Sequence, residues 1–440
     1  MISKLFREKL KPLIFGHIGL YPKDFVTEFK NNIFSEYFKY EGYGEKNYTI
    51  SSEVKNFRVD NGLKGLDLTL TGIKQYAKKF DIGHVNKAGY FLLPSLLNSF
   101  CNLTELKLTN CYIPYMEFIK LEKYSANIRQ IELYGVLLTK LSTESISFDD
   151  FVLPPKLCYL SISYCDMADS DLITNPYEFL FNDSTRFSVS NFIFPKVKVR
   201  SLLELVFFDN SMEDNGLKKF LDLNPNLESL KLNLFHSSMV DRFCSLKRLE
   251  INSVASFSDS AHITPLKSIN KLKIKMAHVN YLNDNRDLKT FCTKFPNLRE
   301  LDLKLYISVS LQALTNEFLV EALCNLPKLK TLKLHIVQDF SRSFYSSINS
   351  NGNYDSEYTD GEEEILNITK FSNIENLYLK SNSDIILNTN FQECKSLKQI
   401  VFYASSETVN TEEFIQKFKG INNWDFKFKY STIKGIKFSE

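Results

Sequence analysis

Leu103 to Ile113 reads LTELKLTNCYI. Leucine stands at the first, fourth and sixth places, Cys111 at the ninth and isoleucine at the eleventh. The arrangement returns at Leu157–Met167, LCYLSISYCDM, with Cys165 ninth, and at Leu202–Met212, LLELVFFDNSM, with Asn210 ninth. Its kernel is three apolar residues spaced three and then two apart. That kernel starts at Leu103, Ile128, Leu157, Leu202, Leu227, Leu246, Ile269, Leu298, Leu329, Ile374 and Leu397. The intervals are 25, 29, 45, 25, 19, 23, 29, 31, 45 and 23 residues. Self-similarity at such a period marks a stacked array rather than a closed globule. A degraded last unit is expected at Ile421, with Trp424, Phe426 and Phe428.

These units resemble the leucine-rich repeat superfamily. The resemblance implies an α/β fold: a solenoid bent like a horseshoe, with a parallel β-sheet on the concave face and helices on the convex face. Side chains alternate along a strand, so Leu106 and Leu108 face inward while Glu105, Lys107 and Thr109 face solvent. The ninth residue sits where the chain leaves the sheet. Asn, or Cys through its weak thiol donor, can satisfy backbone groups left there. No unit can bury its own apolar edge, so the units must stack.

The segments before the kernels support this. Phe91–Cys101, Gly216–Leu223, Asp287–Phe295, Glu317–Leu326 and Glu412–Phe418 carry apolar residues at helical spacing. Pro225, Pro296 and Pro327 precede the next kernel, and proline stops a helix and favours extended geometry before it. Val54–Thr71 holds two overlapping offset matches, Val54-Phe57-Val59 and Leu63-Leu66-Leu68. It is expected to be a capping strand or a hairpin through Asp60-Asn61-Gly62.

Residues 1–50 lie outside the repeats, and residues 51–440 form the expected solenoid. Two short helices broken near Tyr21-Pro22 are expected, either as a cap over the open end of the array or as a degenerate F-box. Ile14-Phe15 and Leu20–Phe25 resemble the middle of the F-box motif. Its opening Leu-Pro-x-Glu is absent. Two intervals exceed a unit. About Asp169 to Val199 is expected to hide a degenerate repeat. About Ser341 to Glu364 is polar and ends in Asp355, Glu357, Asp360 and Glu362 to Glu364. Its composition predicts a disordered acidic loop.

The chain has 440 residues and is 44% hydrophobic, enough for a large core. Lys+Arg 54 against Asp+Glu 52 gives +2, so no global field draws nucleic acid or a membrane. The cysteines are Cys101, Cys111, Cys158, Cys165, Cys244, Cys292, Cys324 and Cys394, with no C-x-x-C pair. That usage predicts buried reduced thiols and an intracellular, cytoplasmic or nuclear, protein. No run reaches the length of a membrane span. Phosphate loops, nucleophile elbows and H-E-x-x-H are missing, and the histidines are scattered. No catalytic, cofactor or metal site is expected.

The solvent-facing third, fifth and seventh places then offer the candidate site. From Leu227 onward they hold Lys231, Arg248, Lys271, Lys273, Lys275, Lys304, Lys333, His335, Tyr378, Lys380 and Tyr403. Acids are fewer: Glu250, Glu300 and Asp302. The Lys271-Lys273-Lys275 ladder is the sharpest feature. Lysines on an exposed sheet also serve to keep it from sticking. The expected function is a non-catalytic scaffold, monomeric by itself, whose concave face takes a protein partner, an acidic one if the lysines are the contact. The Cys/Asn mixture at the ninth place and uneven unit lengths resemble the F-box type of leucine-rich repeat protein. That resemblance implies a Skp1-like adaptor at the N-terminus and the role of substrate-recognition subunit of an SCF-type ubiquitin ligase. The alternative is a ligase-independent regulator or structural adaptor. The acids among the lysines argue against nucleic acid.

Overall fold

Each of the eleven kernels is followed by a strand that begins at its third place. The structure is a computed structural model that describes residues 4–28, 32–39, 51–124, 126–144, 152–182, 187–209, 216–234, 245–253, 264–279, 291–307, 314–338, 365–371 and 373–438. The first residue of every kernel, from Leu103 to Leu397, is buried, as are the fourth and sixth. The chain divides into two units, Met1–Leu227 and Glu228–Glu440.

The first unit holds strands β1 (His17–Leu20), β2 (Lys79–Asn86), β3 (Glu105–Pro114), β4 (Gln130–Tyr134), β5 (Leu137–Lys140), β6 (Tyr159–Ser163), β7 (Asp166–Asp169), β8 (Ser188–Asn191) and β9 (Glu204–Phe208). Its main ladder runs β1-β2-β3-β4-β6-β9, parallel throughout. The second unit holds β10 (Ser229–Leu234), β11 (Arg248–Ser253), β12 (Lys271–Val279), β13 (Glu300–Ile307), β14 (Thr331–Gln338), β15 (Leu366–Asn367), β16 (Asn376–Lys380), β17 (Thr389–Asn390), β18 (Gln399–Tyr403), β19 (Trp424–Lys429) and β20 (Thr432–Lys437). There β10-β11-β12-β13-β14-β16-β18 pair in parallel. Parallel strands with helices in the returns make each unit an α/β solenoid of the leucine-rich repeat type.

One backbone device repeats at every step within each unit. The second and third residues of a repeat both donate to the second carbonyl of the repeat before. Thr104 and Glu105 donate to Lys78, Arg129 and Gln130 to Thr104, Lys330 and Thr331 to Arg299, and Lys398 and Gln399 to Glu375. This locks the register before the strand begins, so the inward leucines of neighbouring repeats stack on each other.

In the first unit the chain turns at the eighth place. His84, Asn110, Gly135 and Tyr164 all have positive φ, between 54° and 60° for three of them and 47° for Asn110. A Cβ on Gly135 would collide with the Asn110 side chain, which fixes glycine there. After the turn a second parallel ladder forms, the end of β3 with β5 and then β7. The buried ninth-place Cys165 thiol donates to the Ser163 carbonyl at 3.4 Å, in the turn-satisfying role expected of it.

Predicted return helices appear at Gly89–Leu97, Leu217–Leu223, Val320–Cys324 and Glu412–Lys419. Asp287–Phe295 falls partly outside the described residues, and 341–364 falls wholly outside them.

Four expectations are corrected. Residues 54–71 are no strand: Ser52–Leu70 is a 19-residue helix with Val59, Gly62, Leu66 and Leu70 buried. That spacing is helical, and Leu68, half of the misleading Leu-x-Leu pair, is 75% exposed. Asp67 therefore sits on a helix and accepts from Lys74 Nζ at 2.9 Å and Ser99 Oγ at 3.0 Å. Between the expected N-terminal helices, which form at Lys4–Ile14, Pro22–Glu28 and Ile33–Lys39, lies β1. Phe15-Ile18-Leu20 and Ala77-Phe80-Ile82 are two further kernels, and Lys78 and Lys79 donate to Gly16 in the same pattern. Among its described residues the stretch from Asp169 holds no repeat. It forms a helix, Pro176–Phe181, and β8, which pairs antiparallel with β7. Lastly, Trp424–Lys429 is not a repeat strand. It is one arm of a hairpin: β20 pairs antiparallel with both β18 and β19. The hairpin covers the apolar end of the second unit, where Phe391, Phe402, Phe418, Trp424 and Phe426 cluster.

Candidate partner-binding face

The open face of the second unit is three rows of side chains running across the strands. At the fifth place Lys231, Glu250, Lys273, Asp302, Lys333 and Tyr378 stand in register on consecutive strands. At the third place the row is Ser229, Arg248, Lys271, Glu300, Thr331, Asn376 and Gln399. At the seventh place Lys304, His335, Lys380 and Tyr403 are consecutive.

The registers place acids between the lysines. Lys271 Nζ lies 2.9 Å and Lys333 Nζ 2.6 Å from the Glu300 carboxylate. Lys273 is 3.1 Å from Asp302, and Lys275 is 2.6 Å from Glu250. Burial alone would raise the Glu300 carboxyl, but the two ammonium groups outweigh it and hold it below the ordinary carboxylate range. Its hydrogen bond to Glu300 raises Lys333 in turn. Lys333 also lies 5.6 Å from the ring centre of Tyr378. The Lys271-Lys273-Lys275 ladder is thus largely neutralised.

The seventh-place row differs. Lys304 and Lys380 have no acidic partner among the described residues, and His335 stands between them. Burial, and then the charges of Lys380 and Lys304, hold the imidazole below its usual range, so it is neutral at pH 7. The row runs into a pocket of about 630 Å³ lined by His335, Ile336, Val337, Lys380, Ser381, Asn382, Tyr403, Ala404, Ser405 and Ser431. These are the seventh to ninth places of three successive repeats, with Ser431 added by the terminal hairpin.

Of the residues singled out in the sequence, His335, Lys380 and Tyr403 come together here. Lys304 adjoins them, Tyr378 lies one row away, and Lys231, Arg248, Lys271, Lys273, Lys275 and Lys333 occupy the first strands and the inner rows. Sequence reasoning missed Ser381, Asn382, Ser405 and Ser431. For the first three the signal was available, small polar residues directly after the strand kernels in KSNS and YASS, whereas Ser431 lies in the hairpin turn and follows no kernel. Elsewhere, burial pushes the Cys111, Cys165 and Cys292 thiols up to about 12, so they stay protonated and are poor nucleophiles.

No protein-family model matches the sequence, and no curated protein matches it. Solved structures do match. One is an internalin (inlF) from Listeria monocytogenes str. 4b F2365, with 13% identity, a TM-score of 0.37, and 77% of this chain and 87% of that chain covered. Another is TLR13 in a complex with ssRNA13, with 15% identity, a TM-score of 0.39, and 77% of this chain covered. This chain spans 44% of the TLR13 chain. No described helix is long and apolar enough to cross a membrane.

Proposed function

We propose that this protein is a non-catalytic interaction scaffold whose second unit binds an acidic segment of a protein partner along Lys304, His335, Lys380 and Tyr403. The observation that carries this reading is the contrast between rows. The inner-row lysines Lys271, Lys273 and Lys333 are spent on Glu300 and Asp302, and Lys275, at the seventh place of β12, on Glu250. Lys304 and Lys380, on the later strands of the seventh-place row, have no described acid to neutralise them and adjoin a pocket. Tyr403, 38% exposed, adds an aromatic side chain of the kind that anchors interfaces. A near-zero net charge keeps this attraction local and disfavours polyanion tracking.

The test is affinity isolation of the full chain from the cells that make it. Lys304→Glu with Lys380→Glu should release the bound proteins. The triple reversal of Lys271, Lys273 and Lys275 should retain most of them. Loss only in the triple variant would move the site to the ladder, and retention in both would remove the face from consideration.

The narrower reading is the substrate-recognition subunit of an SCF-type ubiquitin ligase. It requires a Skp1-like adaptor on the N-terminal segment. There Ile18, Leu20 and Phe25 are buried, whereas Leu13 and Ile14 are 79% and 61% exposed. Among the described residues of that segment, those two are the exposed large apolar side chains that such a contact would use. Co-purification of such an adaptor with the full chain, abolished by Leu13→Asp with Ile14→Asp, supports this role. An adaptor never found with the full chain favours a ligase-independent regulator or structural adaptor.

A further inference from the structure

We propose that the pocket beyond the seventh-place row is an anion subsite: it takes the carboxylate or phosphate that ends one acidic side chain of the bound segment. The inference rests on the reading of this face as a docking surface for an acidic partner, and adds where the critical charge goes. Three features converge. First, the lining is cationic and carries donors: Lys380 supplies the charge, and the hydroxyls of Tyr403 and Ser431 supply neutral donors, while the Ser381 hydroxyl donates to the Ile336 carbonyl and Ser405 caps the short helix that follows it. No carboxylate is among the lining residues. Second, Ile336, Val337 and Ala404 make part of the wall apolar, which suits the methylene stem of the entering side chain and lowers the local dielectric around its charge. Third, the space is far larger than a single water needs.

The groups around His335 make it a reporter. Lys304 and Lys380 flank it on the neighbouring strands, and Asp302 also acts on it. An anion seated against Lys380 would offset the two cations, and the imidazole would bind its proton more tightly.

Fluorescence anisotropy of the full chain would use a labelled Glu-rich peptide, its phosphoserine counterpart and its Gln counterpart. Both acidic peptides should bind and the Gln peptide should not. Lys380→Gln should weaken acidic-peptide binding about tenfold, as expected for a lost charge-assisted hydrogen bond, and Lys273→Gln less than about twofold. Circular dichroism confirms that each variant folds. On saturation with either acidic peptide, the His335 ring signals should titrate at higher pH in the wild type and stay unmoved in Lys380→Gln. Tighter binding of the phosphoserine peptide, or parity, supports the subsite and separates phosphate from carboxylate. Wild-type affinity in Lys380→Gln with weakening in Lys273→Gln overturns the subsite and leaves the acidic-partner reading intact. Failure of the full chain to bind either acidic peptide overturns both.

Discussion

The open faces of the two units are built from the same places of the repeat and have opposite character. In the first unit the third and fifth places carry Asp81, Glu105, Glu132 and Glu204 with Lys79 and Lys107. Tyr134 and Tyr164 meet there edge to face, 5.7 Å between ring centres. In the second unit lysines predominate. The ends also differ. At β1 and β2 the Tyr21 hydroxyl donates to Asp81 at 2.5 Å, and its ring lies over Gly19 and Gly83. One side chain thus closes over the buried acid. At β16 and β18 the corresponding positions leave a pocket. A repeat dictates the scaffold alone; whether a stretch of face is sealed or open is set by residues outside the kernel.

The largest expected effect is at the second unit's end. Phe391 is buried against Phe402, Phe418, Trp424 and Phe426. Phe391→Ala should cost about 3–5 kcal/mol in denaturant unfolding. It should also loosen the hairpin that supplies Ser431, so acidic-peptide binding should weaken with it. At the sealed end, Tyr21→Phe strips the donor from Asp81, whose other oxygen already has no hydrogen-bond partner among the described residues. A cost of about 1–3 kcal/mol is expected, with no change in peptide binding. Gly83→Ala would place a Cβ 2.5 Å from the Tyr21 ring, whereas at Gly72 it would meet nothing within 4 Å. The first should destabilise by about 1–3 kcal/mol. The second should be neutral or stabilise slightly. Equal effects would show that Tyr21 does not hold this end closed.

The eleven kernels were legible because burial demands the same three inward positions at every step, and nothing else in a soluble chain produces that spacing so often. The two N-terminal kernels escaped notice because Phe15 and Ala77 stand where the others have Leu or Ile. Val54–Thr71 misled for the opposite reason: Leu66 and Leu68 imitate a strand pair, and only the buried series 59, 62, 66 and 70 reveals the helix. For the candidate face, the outward residues were legible from alternation. Their pairing was not. Which acid meets which lysine depends on register across repeats of unequal length. Glu300 reaches Lys333 across 33 residues of chain. The pocket needed three repeats and a hairpin brought together.

Proton linkage sharpens the contrast at intermediate size. Hydrogen bonding to Asp81, then burial, pushes Tyr21 up to about 12, and burial does the same to the Cys111 and Cys165 thiols. All three favour their protonated form in the fold. Their contribution is complete below the unfolded values of 10 for tyrosine and 9 for cysteine, and is lost as pH climbs through about 12. Unfolding free energy should therefore fall on the alkaline side, and Cys111→Val with Cys165→Val should flatten that limb. An unaltered limb would place the alkaline loss elsewhere.

The smallest effect on stability belongs to Glu300, and it is the most informative about the open face. This carboxylate is held below its ordinary range, so its contribution is present above the unfolded value of 4.5 and lost as pH falls below it. Because the site is partly open to solvent, Glu300→Gln should cost under about 1 kcal/mol at neutral pH. It also releases Lys271 and Lys333 from the one carboxylate they share. If the acids of the second unit confine free positive charge to the seventh-place row, Glu300→Gln should tighten binding of the Glu-rich peptide about twofold to fivefold at low salt, and salt should erase the gain. The corresponding change on the first unit, Glu105→Gln, frees Lys79 alone and should leave peptide binding unmoved. Equal gains from both substitutions would mean that the peptide senses overall charge rather than the particular row beside the pocket.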